Sequence, residues 1–260
     1  MAITTDSRIR TYDGIELDAT LCRPDGRSAG SVVLVHGITA DKDENGLHRR
    51  LAHALAERGR ESLRFSFRGH GESGGEQLGV TIAGEMNDLL SVLNSATLER
   101  ASCSIVASSF GAVSTVALLG GMRAHRVDRL VLWYPVLDLA DTFLEPHLPW
   151  GRANFGADML AAAQVDGSLK VEDSFALPYA LFAEMRSYDI SSDFAALDTP
   201  TLVIHGTADG VVSFDIARRA GKTRPSASLI AVEGADHGFR RREEAELAIR
   251  ETVAYLTGSA

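Results

Sequence analysis

Short strand-like runs rich in apolar residues alternate in this chain with longer stretches whose apolar residues recur every three or four positions. Ser31–Val35, Ser62–Phe67, Ser104–Ser108, Val127–Tyr134, Thr201–His205 and Ser228–Val232 are of the first kind. Such runs, bounded by turn residues, fit strands buried on both faces of a parallel sheet. Asn45–Arg58, Thr81–Leu98, Phe110–Leu119, Phe214–Lys222 and Arg240–Leu256 are of the second kind and predict helices. Leu47, Leu51, Ala54 and Leu55 share one face of the first helix, and Ile82, Met86, Leu89, Leu90 and Leu93 one face of the second. Gly59 and Gly120–Gly121 stand where the first and third helices should end.

This alternation implies βαβ crossovers and an α/β fold, a mostly parallel sheet with helices on both faces. Near the N-terminus, Ile9–Tyr12 and Ile15–Arg23 flank Asp13–Gly14, a dipeptide that favours a tight hairpin turn. That hairpin should add antiparallel strands at one edge. Pro24–Gly30 reads as a polar turn. From about Val136 to Ser187 the alternation stops. This segment is rich in Phe, Leu, Trp and Pro without a clear period, and it predicts a small cap inserted over the carboxyl edge of the sheet. Inside it, Ser168–Phe175 alternates apolar and polar positions, as a short strand or hairpin would. The whole chain, 1–260, is expected to form one domain carrying this cap.

Composition narrows the function. With a net charge of −9 and only one dense basic run, Arg240–Arg242, the chain lacks the positive surface that nucleic acid requires. The acidic residues that follow that run suit a solvated helix face with opposite-charge neighbours. Cys22 and Cys103 are the two cysteines; they form no CxxC pair and read as buried, unpaired thiols, which favours a cytosolic setting. The first residues contain no apolar signal core, and no stretch reaches the ~20 apolar residues of a membrane span. No HExxH or tight His/Cys cluster suggests a metal, so neither metal nor cofactor is expected.

One segment carries nucleophile chemistry. Ala107-Ser108-Ser109-Phe110-Gly111 links a predicted strand to a predicted helix. A serine on such a sharp turn projects its hydroxyl above the sheet and needs small residues two positions either side. Ala107 and Gly111 meet that need around Ser109, whereas centring on Ser108 would place Val106 and Phe110 there. Small-x-Ser-x-Gly resembles the nucleophile elbow of the α/β-hydrolase superfamily, with Ala107 in place of the usual first Gly. In that family a base and an acid follow, each after a later strand. His237, in Gly234-Ala235-Asp236-His237-Gly238-Phe239, resembles the terminal histidine loop. Asp209, in His205-Gly206-Thr207-Ala208-Asp209-Gly210-Val211-Val212, resembles the HGxxDxxV segment that carries the acid. Asp236 and Asp138 are the alternative acids.

The resemblance extends from His36 to His237. It implies an oxyanion hole made by the backbone N–H groups of Ile38, in the turn His36-Gly37-Ile38-Thr39, and of Phe110. His36 and Gly37 belong to the substrate side of that turn, with His36 bracing it. Phe67-Arg68-Gly69-His70-Gly71-Glu72-Ser73 resembles the family's FRGHGxS loop, although Ser66 stands where the family often has Asp or Asn. HGITADKDE at His36–Glu44 and the Ser168–Phe175 insertion resemble the feruloyl and cinnamoyl esterase branch. Phe143, Leu148, Trp150, Phe155, Phe175, Tyr179 and Phe182 could furnish an apolar lid, with Trp150, Phe175 and Phe182 assigned to substrate binding, or form the cap's own core. The implied activity is hydrolysis of a small or medium acyl or aryl ester through an acyl-enzyme, with a small-molecule partner. The same residues would serve a thioesterase, an amide or peptide hydrolase, a C–C bond hydrolase or a cyclase. A non-catalytic receptor on the same fold is the alternative of another class. An apolar cap also offers a surface for a homodimer.

Overall fold

Alternate residues of the central strands face two different cores. The structure is a computed structural model that describes residues 2–95, 98, 103–121, 127–171 and 175–258. Its main sheet contains β1 (Ile3–Arg10), β2 (Glu16–Arg23), β3 (Ser31–Val35), β4 (Glu61–Phe65), β5 (Cys103–Ser108) and β6 (Leu130–Trp133). Further along come β7 (Ser168–Val171) and β8 (Phe175–Pro178), which form a separate hairpin, and then β9 (Thr201–Gly206) and β10 (Ser228–Val232). The order across the sheet is β1-β2-β4-β3-β5-β6-β9-β10. β1 pairs with β2, and β2 with β4, antiparallel; the remaining pairs are parallel.

The helices are α1 (Leu47–Glu57), α2 (Ile82–Leu93), α3 (Gly111–Gly121), α4 (Pro149–Phe155), α5 (Ala157–Asp166), α6 (Tyr179–Met185), α7 (Ile190–Ala196), α8 (Phe214–Thr223) and α9 (Arg242–Thr257). Val32 and Leu34 of β3 pack with Leu51 and Leu55 of α1 and with Ala248 and Ile249 of α9. Val33 and Val35 of the same strand join Ile82 and Leu89 of α2, Val116 of α3 and Phe194 of α7. A strand's period of two therefore divides one apolar run between both covering layers. Burying each such side chain contributes about 1.5–3 kcal/mol, so slipping the register by one residue would be costly.

The α/β architecture predicted from the alternation is the one observed. Local differences have local causes. β1 begins at Ile3, well before Ile9, because an edge strand exposed to solvent tolerates the polar run Thr4–Arg8. The first turn is wider than a two-residue hairpin: Thr11 N–H donates to Ile15 O, and Gly14 adopts φ 91°. The helix expected from Asn45 starts at Leu47, after a 3₁₀ turn at Glu44–Gly46. The helix expected over Thr81–Leu98 stops at Leu93, and residues 96 and 97 of that range lie outside the described residues. Gly120 and Gly121 belong to α3 instead of closing it. The final helix begins at Arg242, its first turn held by Arg241–Glu244 and Arg242–Glu246 pairs.

The segment between β6 and β9 is mostly helical, which its composition did not reveal. It contains a π-helical turn at Ala140–Leu144, then α4, α5, the β7–β8 hairpin, α6 and α7. The hairpin pairs Ser168–Val171 with Phe175–Pro178; residues 172–174, within the expected Ser168–Phe175 element, lie outside the described residues. Cys22 is buried and Cys103 half-buried, and both are free thiols. Among the described residues no helix is long and apolar enough to cross a membrane.

Candidate active site

Ser109 occupies the turn between β5 and α3 with φ at 50°, a left-handed conformation that few non-glycine residues adopt. The turn is over-determined. Ser109 N–H donates to Trp133 O at 2.9 Å, and its carbonyl accepts from Val136 N–H at 3.1 Å. Two positions on, a Cβ on Gly111 would lie 2.4 Å from His36 O, so only glycine fits. Ser108 points elsewhere: its hydroxyl lies 3.1 Å from Nε2 of the buried His48.

His237 and Asp209 come to Ser109 from the ends of β10 and β9. His237 Nε2 is 3.0 Å from Ser109 Oγ, and His237 Nδ1 is 2.8 Å from Asp209 Oδ2. The carboxylate requires a proton on Nδ1, which leaves Nε2 free to accept from the serine hydroxyl. Asp209 is held on all sides. Its Oδ1 accepts the N–H groups of Val211 and Val212 at 2.8 and 2.9 Å, and Oδ2 also accepts from His205 Nε2 at 3.1 Å. Burial pushes the Asp209 carboxyl up, but the hydrogen bonds and charges of His205 and His237 outweigh it and hold the group well below the usual carboxylate range. Gly206 permits this packing, since a Cβ there would lie 2.2 Å from Ala235 O.

The alternative acids are engaged elsewhere. Asp236 lies on the surface beside Arg240, and Asp138 accepts from Asp141 N–H and pairs with Arg219. Asp138 thus behaves as a turn aspartate.

The turn after β3 faces the serine. Gly37 approaches Ser109 closely, and the N–H groups of Ile38 and Phe110 donate to no partner among the described residues. His36 is buried and does not reach the cavity. Its Nε2 accepts from Phe67 N–H at 2.8 Å and its Nδ1–H donates to Gly37 O at 2.7 Å, so it braces the turn. Burial, with the neighbouring His70, holds the His36 imidazole well below its ordinary value. His70 contacts Ile38 O and stacks on Phe175 at 4.5 Å. Arg68 is fixed by Asp88 and Asp13. Ser66 Oγ accepts from Lys42 N–H, so serine supplies the loop bond at a position where a Cβ on Gly71 would lie 2.7 Å from that oxygen.

A cavity of about 560 Å³ opens above Ser109 and His237. Phe143, Trp150, Phe155, Val171 and Leu177 of the insertion form much of its wall, and Ile38, Leu47, Val211, Val212 and Phe239 add to the apolar part. Trp150 stands in this wall, partly exposed. Phe175 and Phe182 do not line the cavity: Phe175 packs on His70, and Phe182 is fully buried against Phe155. Phe175 seats the β7–β8 hairpin on the loop after β4, and Phe182 packs α6 against Phe155 of α4.

Three residues near the site escaped the sequence reading. His205 opens the HGxxDxxV segment and bonds Asp209, a role suggested only by its strand-end position. Glu44 and Tyr134 are buried beside the cavity and bonded to each other at 3.1 Å. Both have positive φ, 45° and 37°, which no sequence pattern announces.

Comparison with known proteins fits this geometry. Residues 26–241 match the serine aminopeptidase S33 family (Hydrolase_4). The chain is 24% identical to the non-heme chloroperoxidase CPO-A1 of Kitasatospora aureofaciens, across 88% of this chain and 91% of that one. Est1E from Butyrivibrio proteoclasticus, solved with ferulic acid bound, superposes with a TM-score of 0.79 at 19% identity, covering 97% and 98% of the two chains. Mouse alpha/beta hydrolase domain-containing protein 10 gives 0.78 at 16% identity, covering 98% and 100%. At these identities the structural likenesses establish the shared fold. Together with the family match they show that the chain belongs to the serine aminopeptidase S33 family and has the α/β-hydrolase fold.

Proposed function

We propose that this hydrolase cleaves carboxylic esters of small or medium acyl or aryl acids through an acyl-enzyme at Ser109. The observation that carries the reading is the hydrogen-bonded chain Ser109–His237–Asp209 at the floor of a cavity whose walls include the rings of Phe143, Trp150 and Phe155.

Ser109 Oγ attacks the ester carbonyl while its proton passes to His237 Nε2. The carbonyl oxygen, now negative, accepts from the N–H groups of Ile38 and Phe110. The ester C–O bond then breaks, and the departing alkoxide takes the proton from His237. Water enters, gives a proton to His237 and attacks the acyl carbon, and the carboxylic acid leaves as Ser109 regains its proton. Asp209, ionised throughout, keeps the imidazole in the required tautomer and stabilises its charged form.

The insertion acts as a cap whose Phe143, Trp150 and Phe155 receive the acyl or aryl group. The ferulic acid bound to Est1E is an aryl acid on the same fold, which supports that class. The test is turnover of p-nitrophenyl esters from acetyl to dodecanoyl, methyl ferulate, an acyl thioester and an aminoacyl anilide. Preference for an ester of acyl or aryl type supports the reading. Preference for the thioester or the anilide replaces the proposed substrate class.

A further inference from the structure

Glu44 stands in the wall of the Ser109 cavity, 5% exposed, and the ester chemistry above does not use it. Its two carboxylate oxygens both accept hydrogen bonds. Oε2 takes Gly37 N–H at 2.8 Å, and Oε1 takes the Tyr134 hydroxyl at 3.1 Å. Gly37 N–H can only donate, and with the Tyr134 hydroxyl donating to the other oxygen the arrangement suits an ionised carboxylate. Burial pushes the group above its ordinary range, while the Gly37 N–H, the Tyr134 hydroxyl and the charge of His237 oppose that rise.

The two partners matter for the site. Gly37 belongs to the turn that presents Ile38 N–H, and it lies against Ser109. Tyr134 follows β6, and its ring centroid is 4.6 Å from that of His237. Glu44 and Tyr134 are both held in left-handed backbone conformations, so each bond in this chain fixes a residue that would otherwise relax. One side chain therefore ties the oxyanion turn to the wall behind the imidazole.

We propose that Glu44 is a positioning residue, a second carboxylate of the site that fixes Gly37 and Tyr134 and whose negative charge favours the His237 imidazolium formed during acyl transfer. This inference rests on the esterase reading. Other charged or titratable groups around the imidazole are Asp209, with His205 behind it, at the β9 end, and Tyr134 at the β6 end. Arg50 of α1 and Arg240 of the histidine's own loop line the same cavity, Asp236 is bonded to Arg240, and Asp41 acts on Glu44.

Glu44→Gln preserves the shape and removes the charge. Its amide oxygen can accept from Gly37 N–H while its amide N–H donates to the Tyr134 oxygen. The readout is the rate at which a fluorophosphonate labels Ser109, measured from pH 5 to pH 9. Labelling uses the same serine, base and oxyanion donors and needs no knowledge of the natural substrate. In Glu44→Gln the plateau rate should fall roughly tenfold, and the loss of reactivity toward acid should move about 0.5–1 pH unit lower, because the imidazolium has lost a stabilising charge. A brace without an electrostatic role would lower the plateau and leave the acid side in place, which overturns the proposal, as does an unchanged profile. Tyr134→Phe keeps the charge and deletes one bond; slower labelling with the acid side unmoved supports the proposal, and labelling at the wild-type rate overturns it even if Glu44→Gln does not fold. A wild-type protein that the fluorophosphonate does not label overturns the esterase reading and this inference together, whereas a labelled wild type with an identical Glu44→Gln overturns this inference alone.

Discussion

A Cβ placed on Gly37 would lie 3.1 Å from Ser109 Cβ and 3.6 Å from its Oγ. The turn after β3 and the turn after β5 thus meet at a point where one side has no side chain. Gly37 thus sets how closely the turn carrying Ile38 approaches the turn carrying Phe110. Gly37→Ala should fold, because the clash is a few tenths of an ångström, but it should displace the turn. The expected loss in kcat is about 10²- to 10³-fold, the size associated with losing one oxyanion donor. Circular dichroism and steady-state kinetics check both halves, and a kcat equal to wild type would remove Gly37 from this role.

Asp209 and Asp138 were both candidate acids in sequence. Asp209 accepts bonds from His237, His205, Val211 and Val212, whereas Asp138 pairs with exposed Arg219. Asp209→Asn should lower kcat by about 10³- to 10⁴-fold, because an amide can present an N–H to Nδ1 and favour the wrong tautomer. Asp138→Asn should stay within about threefold of wild type. Kinetics with one ester rank them, and the reverse order would move the acid to the β6 end.

Much of this was legible because the central strands are buried on both faces. Runs such as Ser31–Val35 and Thr201–His205 leave little alternative to a parallel sheet, and three motifs each follow such a strand. The insertion was less legible. Its helices are short, α4 and α6 spanning seven residues each, and tertiary packing of Phe143, Phe155 and Phe182 holds them in place of a long amphipathic repeat. The same packing explains Phe175 and Phe182. Their apolar character was visible, but whether a ring faces a cavity or a core depends on the orientation of a hairpin that pattern alone does not fix. β1 is longer than its pattern implies for the opposite reason, since its exposed edge needs no apolar alternation.

Glu85 gives the fold a pH dependence apart from the site. It is buried on α2, one oxygen accepts from Ser114, and the other has no partner among the described residues. Burial pushes its carboxyl up to about 8, against the opposing Ser114 bond. A group with a raised folded pKa binds its proton more tightly in the folded state, so its contribution is fully present below about pH 4.5 and is lost as pH rises toward 8. Glu85→Gln mimics the protonated form. It should be more stable than wild type at pH 8 by on the order of a few kcal/mol, with the gap closing toward pH 4–5. Thermal melts across that range measure the difference, and a gap that widens toward acid would contradict it.

Trp150 is the aromatic residue of the insertion that is both partly exposed and in the cavity wall. Trp150→Ala should raise KM for aryl and long-chain esters by about 5- to 20-fold, corresponding to about 1–2 kcal/mol of lost apolar contact, and leave acetyl esters nearly unchanged. Equal effects on all chain lengths would place the acyl group elsewhere.

The most direct measurement compares initial rates of wild type and Ser109→Ala on a graded series of p-nitrophenyl esters and methyl ferulate. Wild type should turn over at least one member of the series, and Ser109→Ala should lose about 10⁴- to 10⁶-fold in kcat while keeping the wild-type melting profile. A folded Ser109→Ala protein that cleaves these esters at rates near wild type would contradict nucleophilic catalysis at Ser109.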